Sequence, residues 1–474
     1  MKTAICVIIK DENDYLDEWL DYHLNLGIDE IFLYEDYGSK SHEDIVKPYG
    51  DRVHLNSIDV IFNSPYPNKN VIDTGENIQV QLFYYFTKFY KNVFDWVLFN
   101  DIDEFLILKQ PLHDLLKEYD DKPGLLLHWR WYGASGHIKK PEGKVMDNYK
   151  KCYKFHSDFP YNMKSFLNCK KFKNWEQPTH KVEGAVFPLT EWGGHKAWIN
   201  HYFTKSWEEW KTKILCRGDV VPNNRKIHEF FYLNKDLEYM KNDLLLEIAI
   251  ENATKLGFNK NIQNNINKKY FHFCWFGHSE FSDLNIKCIE SWKNYLSDDY
   301  IVCFWNELSF DFNNIKFTRD AYSCKKWAYV SDYVRLWSVY TFGGVYADTD
   351  VELLKPIDNL PTNFLAIEKD FDILAVGLGF GAERKNEVIG GILDYYKDLS
   401  FSLDSMYSVI INNLVMDYFY KHGYKLNLTD VHNFLGFTIY PDTYFCPKSC
   451  VNKTLDIKDE TIAIHHYIGS WAID

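Results

Sequence analysis

The stretch AYVSDYVRLWSVYTFGGVYADTD, residues 328–350, decides how this chain is read. Its pattern predicts a helix up to about Phe342, a turn at Gly343-Gly344 and then a strand, VYADTDV. Residues two apart in a strand face the same side, so Asp348 and Asp350 are expected to point together at a strand end. Adjacent carboxylates repel, and an unpaired inward-facing couple is costly. A hard divalent cation, Mg²⁺ or Mn²⁺, relieves that cost and keeps positions for water and substrate phosphates. Held there, it bridges a diphosphate and stabilises it as a leaving group. In the preceding helix Asp332 and Arg335 are i and i+3 and share a face, so Arg335 is either a phosphate or sugar contact or a partner for Asp332.

Working outward, the half that contains this stretch opens on a strand, YFHFCWFG, followed by a helix, LNIKCIESWKNYL, and a second strand, YIVCFWN. The N-terminus has the same order: TAICVII, then DYLDEWLDYHLNLG, then EIFLYED. Leu16, Trp19, Leu20, His23 and Leu24 recur at helical spacing, with His23 expected as a satisfied core histidine and Gly27 as the helix cap. A repeated β-α-β opening predicts an α/β chain of two tandem nucleotide-binding-type domains with mainly parallel sheets. Their expected bounds are 1–256 and 269–474, joined by the Asn-rich linker 257–268 that follows a mostly helical stretch from Ser206 to Leu256. The first half has its own acidic pair: NDIDEF, residues 100–105, sets Asp101 and Asp103 on one face of an extended segment and Glu104 on the other.

The chain has 474 residues, 46% hydrophobic and 25% charged, which rules out disorder as its main state. Acidic residues exceed basic ones, 67 against 53, so a chain-wide role on nucleic acid is excluded. No window approaches the run of apolar residues a membrane span needs, and no long basic amphipathic helix is visible, so stable membrane insertion is not expected. MKTAICVIIKDEN reads as a first strand rather than a signal peptide. The ten cysteines are scattered, the closest pair being Cys446 and Cys450, and read as reduced core thiols. A cytoplasmic protein follows. Neither opening strand carries the Gly-rich basic loop of a nucleotidyltransferase.

The string S-D-x-x-R, seven residues, G-G-x-Y-x-D-x-D, from Ser331 to Asp350, resembles the family 32 glycosyltransferases, the DXD sugar-binding group. HFCWFG (272–277), FGAERKNEVI (380–389), YFCP (444–447) and IHHYIGSW (464–471) match further segments of that family in order. The resemblance implies that Asp348 and Asp350 bind metal and nucleotide-sugar. It implies that Asp332 and Arg335 contact the donor sugar, that Tyr346 touches nucleotide or sugar, and that Trp275 stacks on the base. His465, His466, Ser470 and Trp471 would close over the diphosphate, with His466 favoured over His465 as a metal ligand. Ala347 stands where the family usually has a bulky aliphatic residue.

The first half resembles family 92 glycosyltransferases and their family 2-like relatives through three segments. These are IIKDENDYLDEWLDYHLNLGIDEIFLYED (8–36), WVLFNDIDEFL (96–106) and INHYFTKSWEEWKTKILCRGD (199–219). Carried over, Asp101 and Asp103 are the metal-binding pair and His201 a metal or diphosphate ligand. Lys10, Glu12 and the Tyr34–Asp36 strand end line the nucleotide pocket, and Lys205 and Arg217 contact phosphate. Family members have Asn where this chain has Asp11, which leaves that position's role open. Glu104, Glu183 and Glu191 stand as alternatives for a catalytic base.

Together the resemblances imply a bifunctional enzyme of two GT-A-type domains, the first inverting and the second retaining. Each would take a sugar from a nucleotide-sugar, UDP-sugars favoured, with Mn²⁺ or Mg²⁺. The acceptor would be a glycan or glycolipid, such as a capsule or lipopolysaccharide unit. The alternative is that only the C-terminal domain is catalytic and the N-terminal one binds acceptor.

Overall fold

A computed structural model describes residues 1–62, 78–152, 163–173, 175–176, 181–191, 193–216, 227–260 and 268–468. The chain divides into two compact units, Met1–Asn224 with Tyr232–Asp236, and Arg225–Phe231 with Leu237–Asp474.

The first unit contains β1 (Thr3–Ile9), β2 (Glu30–Glu35), β3 (Val53–Ser57), β4 (Trp96–Phe99) and β5 (Glu104–Leu108). It continues with β6 (Gly124–Trp131), β7 (Met163–Asn168), the short ribbon β8 (Trp175–Glu176) and β9 (Lys181–Val182), and β10 (Ala197–His201). Eight of these form one sheet in the order β3-β2-β1-β4-β7-β6-β10-β5. The β1–helix–β2 crossover is parallel, as the repeated pattern requires. The sheet as a whole is mixed rather than mainly parallel, because β7 runs antiparallel to both β4 and β6 and β5 runs antiparallel to β10.

The helix Leu16–Asn25 buries Leu16, Trp19, Leu20, His23 and Leu24, the stripe its spacing predicts. His23 Nδ1 donates to the Trp19 carbonyl at 2.9 Å and Nε2 accepts the Leu106 N–H at 3.3 Å. Both ring nitrogens are satisfied in the neutral form, and burial pushes the pKa down to about 3. Trp19 Nε1 donates to the Glu104 carbonyl at 2.7 Å, which ties this helix to the acidic segment.

The second unit contains β11 (Lys269–Cys274), β12 (Tyr300–Trp305), β13 (Gly344–Tyr346), β14 (Val351–Leu353) and β15 (Phe364–Glu368). β16 (Ile373–Ala375), β17 (Phe380–Ala382), β18 (His432–Phe434), β19 (Phe437–Tyr440) and β20 (Ala463–His465) complete it. The main sheet runs β12-β11-β13-β17-β15-β19-β18, with β16 on β15, while β14 and β20 form a separate pair. It too is mixed: β11 is parallel to β12 and β13, but β17 is antiparallel to β13 and β15. The helix Asp283–Tyr295 joins β11 to β12, opened by a capping box between Ser282 and Asn285.

The helix Lys241–Lys255, expected to close the first half, lies in the second unit. Its Asn252 donates to the Phe304 carbonyl at 3.4 Å and to Asn306 at 3.1 Å. Asn259, expected in the linker, exchanges two hydrogen bonds of 2.9 Å with the backbone of Val302 on the outer strand β12. The amide side chain satisfies a strand edge, which composition alone does not distinguish from a solvated spacer. Most of the expected linker, 261–267, lies outside the described residues. No described cysteine is in a disulfide, and Cys6, Cys169, Cys274, Cys288, Cys303 and Cys446 are buried. Among the described residues no helix is long and apolar enough to cross a membrane.

The helix Trp327–Phe342 ends where predicted, and the chain turns into β13 through Gly343 and Gly344, both at positive φ. At Gly344, φ is 108° and an added Cβ would lie 2.2 Å from the Tyr270 carbonyl oxygen of β11. Gly344→Ala should therefore push β13 off β11 and destabilise the second unit by about 2 kcal/mol or more, read as a lower denaturation midpoint.

Candidate functional site

The acidic pair of the second unit sits just past the end of β13. Asp348 and Asp350 lie in a turn between β13 and β14, not in one continuous strand as expected, and the Val351 N–H bonds back to the Asp348 carbonyl at 3.0 Å. Asn285 holds the turn by donating to the Thr349 carbonyl and hydroxyl. The two carboxyls nevertheless converge. One ligand atom each from Asp348, Asp350 and His465 lie within 4.8 Å of one another.

Each carboxylate has its own support. Asp348 Oδ2 accepts from Arg335 Nη1 at 3.1 Å and Oδ1 from the Tyr346 hydroxyl at 2.7 Å. Arg335 also reaches Asp332 at 3.1 Å, so it is at once a helical ion-pair partner and a brace for the turn. Burial pushes the Asp332 carboxyl up to about 7 against the pull of Arg335. Burial, and the neighbouring Asp350, also raise Asp348 above the usual carboxylate range despite Arg335. Burial would raise Asp350 as well, but His465 at 3.2 Å and the Ile468 N–H at 3.0 Å outweigh it and depress its pKa.

His465, not His466, is the histidine that joins the pair. β20 pairs antiparallel with β14, setting His465 opposite Val351, whereas His466 turns to Glu352 at 2.7 Å. His465 Nδ1 is buried without a hydrogen-bond partner. Two hard carboxylates and one imidazole, whose buried Nδ1 has no hydrogen-bond partner, fit a divalent cation. Two further residues belong here that sequence reasoning missed. Gly377 accepts from the Asp348 N–H at 3.1 Å, and a Cβ on it would lie 2.3 Å from Asp348 Oδ2 and 2.9 Å from Arg335 Nη1. Glu368, at the end of β15, is buried, accepts from Asn412 at 3.0 Å and acts on His465 through space. Neither lies in a recognisable motif, although the glycine-rich run VGLGFG was a signal of close packing. Trp275 follows β11, half-buried, with its ring on Phe281 and its Nε1 donating to the Ser279 carbonyl. Ser470 and Trp471 lie outside the described residues.

In the first unit the segment after β4 is also a turn, closed by the Glu104 N–H on the Asp101 carbonyl at 3.1 Å. Glu104 does not face away from the pair: its Oε2 accepts the Asp101 N–H at 3.1 Å. Asp101 pairs with Lys164 at 2.6 Å and accepts from Gln79 at 2.9 Å. Asp103 pairs with Lys213 at 3.1 Å and lies 3.4 Å from His201 Nε2. Burial is outweighed at Asp103 by Lys213 and His201, so its pKa is well down, whereas burial pushes Glu104 well up. Asp101, Asp103 and His201 do not form a converging ligand set: among the described residues that set is found only at Asp348, Asp350 and His465.

Lys205 is buried at positive φ with its Nζ 4.0 Å from the Tyr15 ring centroid. Lys10 and Asp36 pair at 3.2 Å at the ends of β1 and β2, and the Glu12 N–H donates to His42. Asp11 has φ 52°, a left-handed position that Asn and Asp both tolerate, which accounts for the exchange noted above. Glu183 and Glu191 are exposed, while Arg217 lies outside the described residues.

Residues 2–228 match the family model Glycosyltransferase family 92, and residues 282–365 match the model Glycosyltransferase sugar-binding region containing DXD motif. The chain carries two glycosyltransferase regions. A Glycosyltransferase family 92 protein of Oryza sativa subsp. japonica is 27% identical over 223 residues, 45% of this chain. The chain spans about a third of that relative, 35% of its length. Among solved structures, PaToxG glycosyltransferase matches at TM-score 0.27 and 17% identity, over 38% of this chain and 80% of its own. A glucosyl-3-phosphoglycerate synthase from Mycobacterium tuberculosis, in complex with Mn²⁺, UDP and glucosyl-3-phosphoglycerate, matches at TM-score 0.21 and 14% identity, over 28% and 45%.

The Asp350–His465 contact sets a pH dependence. Burial alone would lower His465, but Asp350 raises it. The stabilisation is therefore full below the ordinary histidine pKa of about 6.5 and fades as pH rises through the raised value. Asp350 is depressed, so its contribution is present above about 3.9 and fades as pH falls. In the metal-free protein the second unit's urea midpoint should fall on both sides of that window, and Asp350→Asn should flatten both limbs. Gly377→Ala should displace Asp348 and weaken Mn²⁺ binding by about 10-fold or more with the fold retained, measured by titration calorimetry and circular dichroism.

Proposed function

We propose that the chain is a bifunctional glycosyltransferase whose two units have the GT-A fold. Each moves a sugar from a nucleotide donor, UDP-sugars favoured, to a glycan or glycolipid acceptor of the capsule or lipopolysaccharide kind. The observation that carries the proposal is the convergence of Asp348, Asp350 and His465 inside a DXD sugar-binding region. Mn²⁺ or Mg²⁺ bound by these three residues would supply Lewis acidity to the departing diphosphate. Around them, Arg335 and Tyr346 fix both oxygens of Asp348, and Asp332, near neutrality in its titration, offers a carboxyl to a sugar hydroxyl. Trp275 offers the ring for the base, and Ser470 and Trp471 would cover the diphosphate. In the first unit Lys10, Glu12, Asp36, Lys205 and Arg217 line the donor site. The family resemblances support inversion there and retention in the second unit, and the buried thiols support a cytoplasmic location.

The ion pairs of Asp101 and Asp103 favour a second reading, in which the first unit binds acceptor and only the second transfers. A panel of UDP-, GDP- and CMP-sugars with Mn²⁺ on the full chain separates the two. Wild type should release nucleotide, and Asp348→Asn should lower one transfer by about 10²–10³-fold while leaving the other. Asp101→Asn should do the reverse. If it leaves every transfer intact, the acceptor-binding reading replaces the first. If wild type releases no nucleotide from any donor, both fail.

A further inference from the structure

We infer that the first unit works without a divalent cation: Lys164 and Lys213 occupy, as fixed parts of the fold, the role that a metal ion takes beside Asp348 and Asp350. The inference departs from what the DxD spelling of residues 101–103 implies, and rests on the preceding reading only for the kind of ligand the unit binds.

Backbone register puts Lys164 where it is. β7 lies between β4 and β6, with Leu98 opposite Phe166 and Leu127 opposite Lys164. Continuing that register two steps past Leu98 would set Lys164 level with Asn100, immediately before Asp101. Its side chain is buried: the residue is 1% exposed, with Nζ 5.5 Å from the centroid of the Trp129 ring. The ammonium contacts the Asp101 carboxylate at 2.6 Å and the Glu104 carboxyl at 3.5 Å, so it already bridges the two side chains. Lys213 comes from a different element, the helix Trp207–Cys216, and is also buried. It takes the remaining aspartate, Asp103, at 3.1 Å.

Each aspartate of the pair already has its own ammonium: Lys164 on Asp101 and Lys213 on Asp103. A dication entering between Asp101 and Asp103 would have to displace the ammonium of a buried lysine from its carboxylate, at a cost of several kcal/mol where that ammonium is left unpaired. The two aspartates are also drawn apart, Asp101 toward β7 and Asp103 toward the helix and β10, and no metal-sized set forms from them among the described residues. The contrast with the second unit is direct. There Arg335 holds one oxygen of Asp348, while Asp350 and His465 remain convergent.

A count of bound Mn²⁺ on the full chain, by loss of the free-ion electron paramagnetic resonance signal, tests this, with Mn²⁺ alone and again with UDP, GDP or CMP present. The expected count is one per wild-type chain, one for Asp101→Asn and none for Asp350→Asn. Two ions per chain, one of them lost in Asp101→Asn or Asp103→Asn, would overturn the inference. A count of zero in wild type would instead sink the metal reading of the second unit and uphold this one. Nucleotide binding to Asp348→Asn, with the second site disabled, should be equal in EDTA and in Mn²⁺. A requirement for Mn²⁺ there would overturn the inference. Absence of any nucleotide binding would overturn the donor reading of the first unit, with the ion count still deciding the metal question.

Discussion

Carboxylates gathered out of water need a countercharge, and both units are organised around how that charge is supplied. In the second unit the protein supplies part of it, through Arg335 and the Tyr346 hydroxyl on Asp348, and leaves Asp350 and His465 facing an open coordination set. In the first unit the protein supplies all of it from lysines buried beside the pair. The same three-letter spelling, Asp-x-Asp, therefore sits in two different electrostatic settings, and the setting rather than the spelling determines whether an ion can bind.

The scaffold reaches both arrangements by the same route. A helix on the face of the sheet is tied to the acidic turn by one indole hydrogen bond: Trp19 to the Glu104 carbonyl in the first unit, and Trp292 to the Val351 carbonyl in the second. Each bond uses a buried aromatic whose polar edge needs a partner, so packing and turn geometry are fixed together. What differs is the strand that closes the site. In the second unit a late strand, β20, returns antiparallel to β14 and delivers His465. In the first, β7 inserts next to β4 and delivers Lys164.

That difference explains what could be read from the sequence. Local pattern was enough for the β-α-β openings, for the buried stripe of the helix Leu16–Asn25, for the satisfied His23 and for the helix ending at Phe342, because these depend on neighbours a few residues away. The pair Asp348 and Asp350 was legible too, although the chain brings them together through a turn rather than a strand. Choosing between His465 and His466 depended on the register of a strand more than a hundred residues away, and Gly377 and Glu368 enter only through tertiary contact. Lys164 is 63 residues from Asp101, on a strand whose antiparallel insertion the repeated β-α-β pattern did not announce. The mixed sheet of the first unit and its buried Lys164 are thus one missed fact: the antiparallel β7 beside β4 is what brings an ammonium to Asp101.

A countercharge built into the fold and one borrowed from solution behave differently. Lys164 is in place as soon as β7 pairs with β4, and its hold on Asp101 does not depend on ion concentration. The set at Asp348, Asp350 and His465 would be completed by an ion; without one, His465 faces Asp350 at 3.2 Å, and that carboxylate raises its pKa. A proton on His465 and a cation between the carboxylates compete for one imidazole, so occupancy of the second site is linked to pH and to metal supply in a way that the first is not. If Lys164 and Lys213 stand in for an ion in the first unit, the two units respond to different conditions, although their sequences carry the same motif.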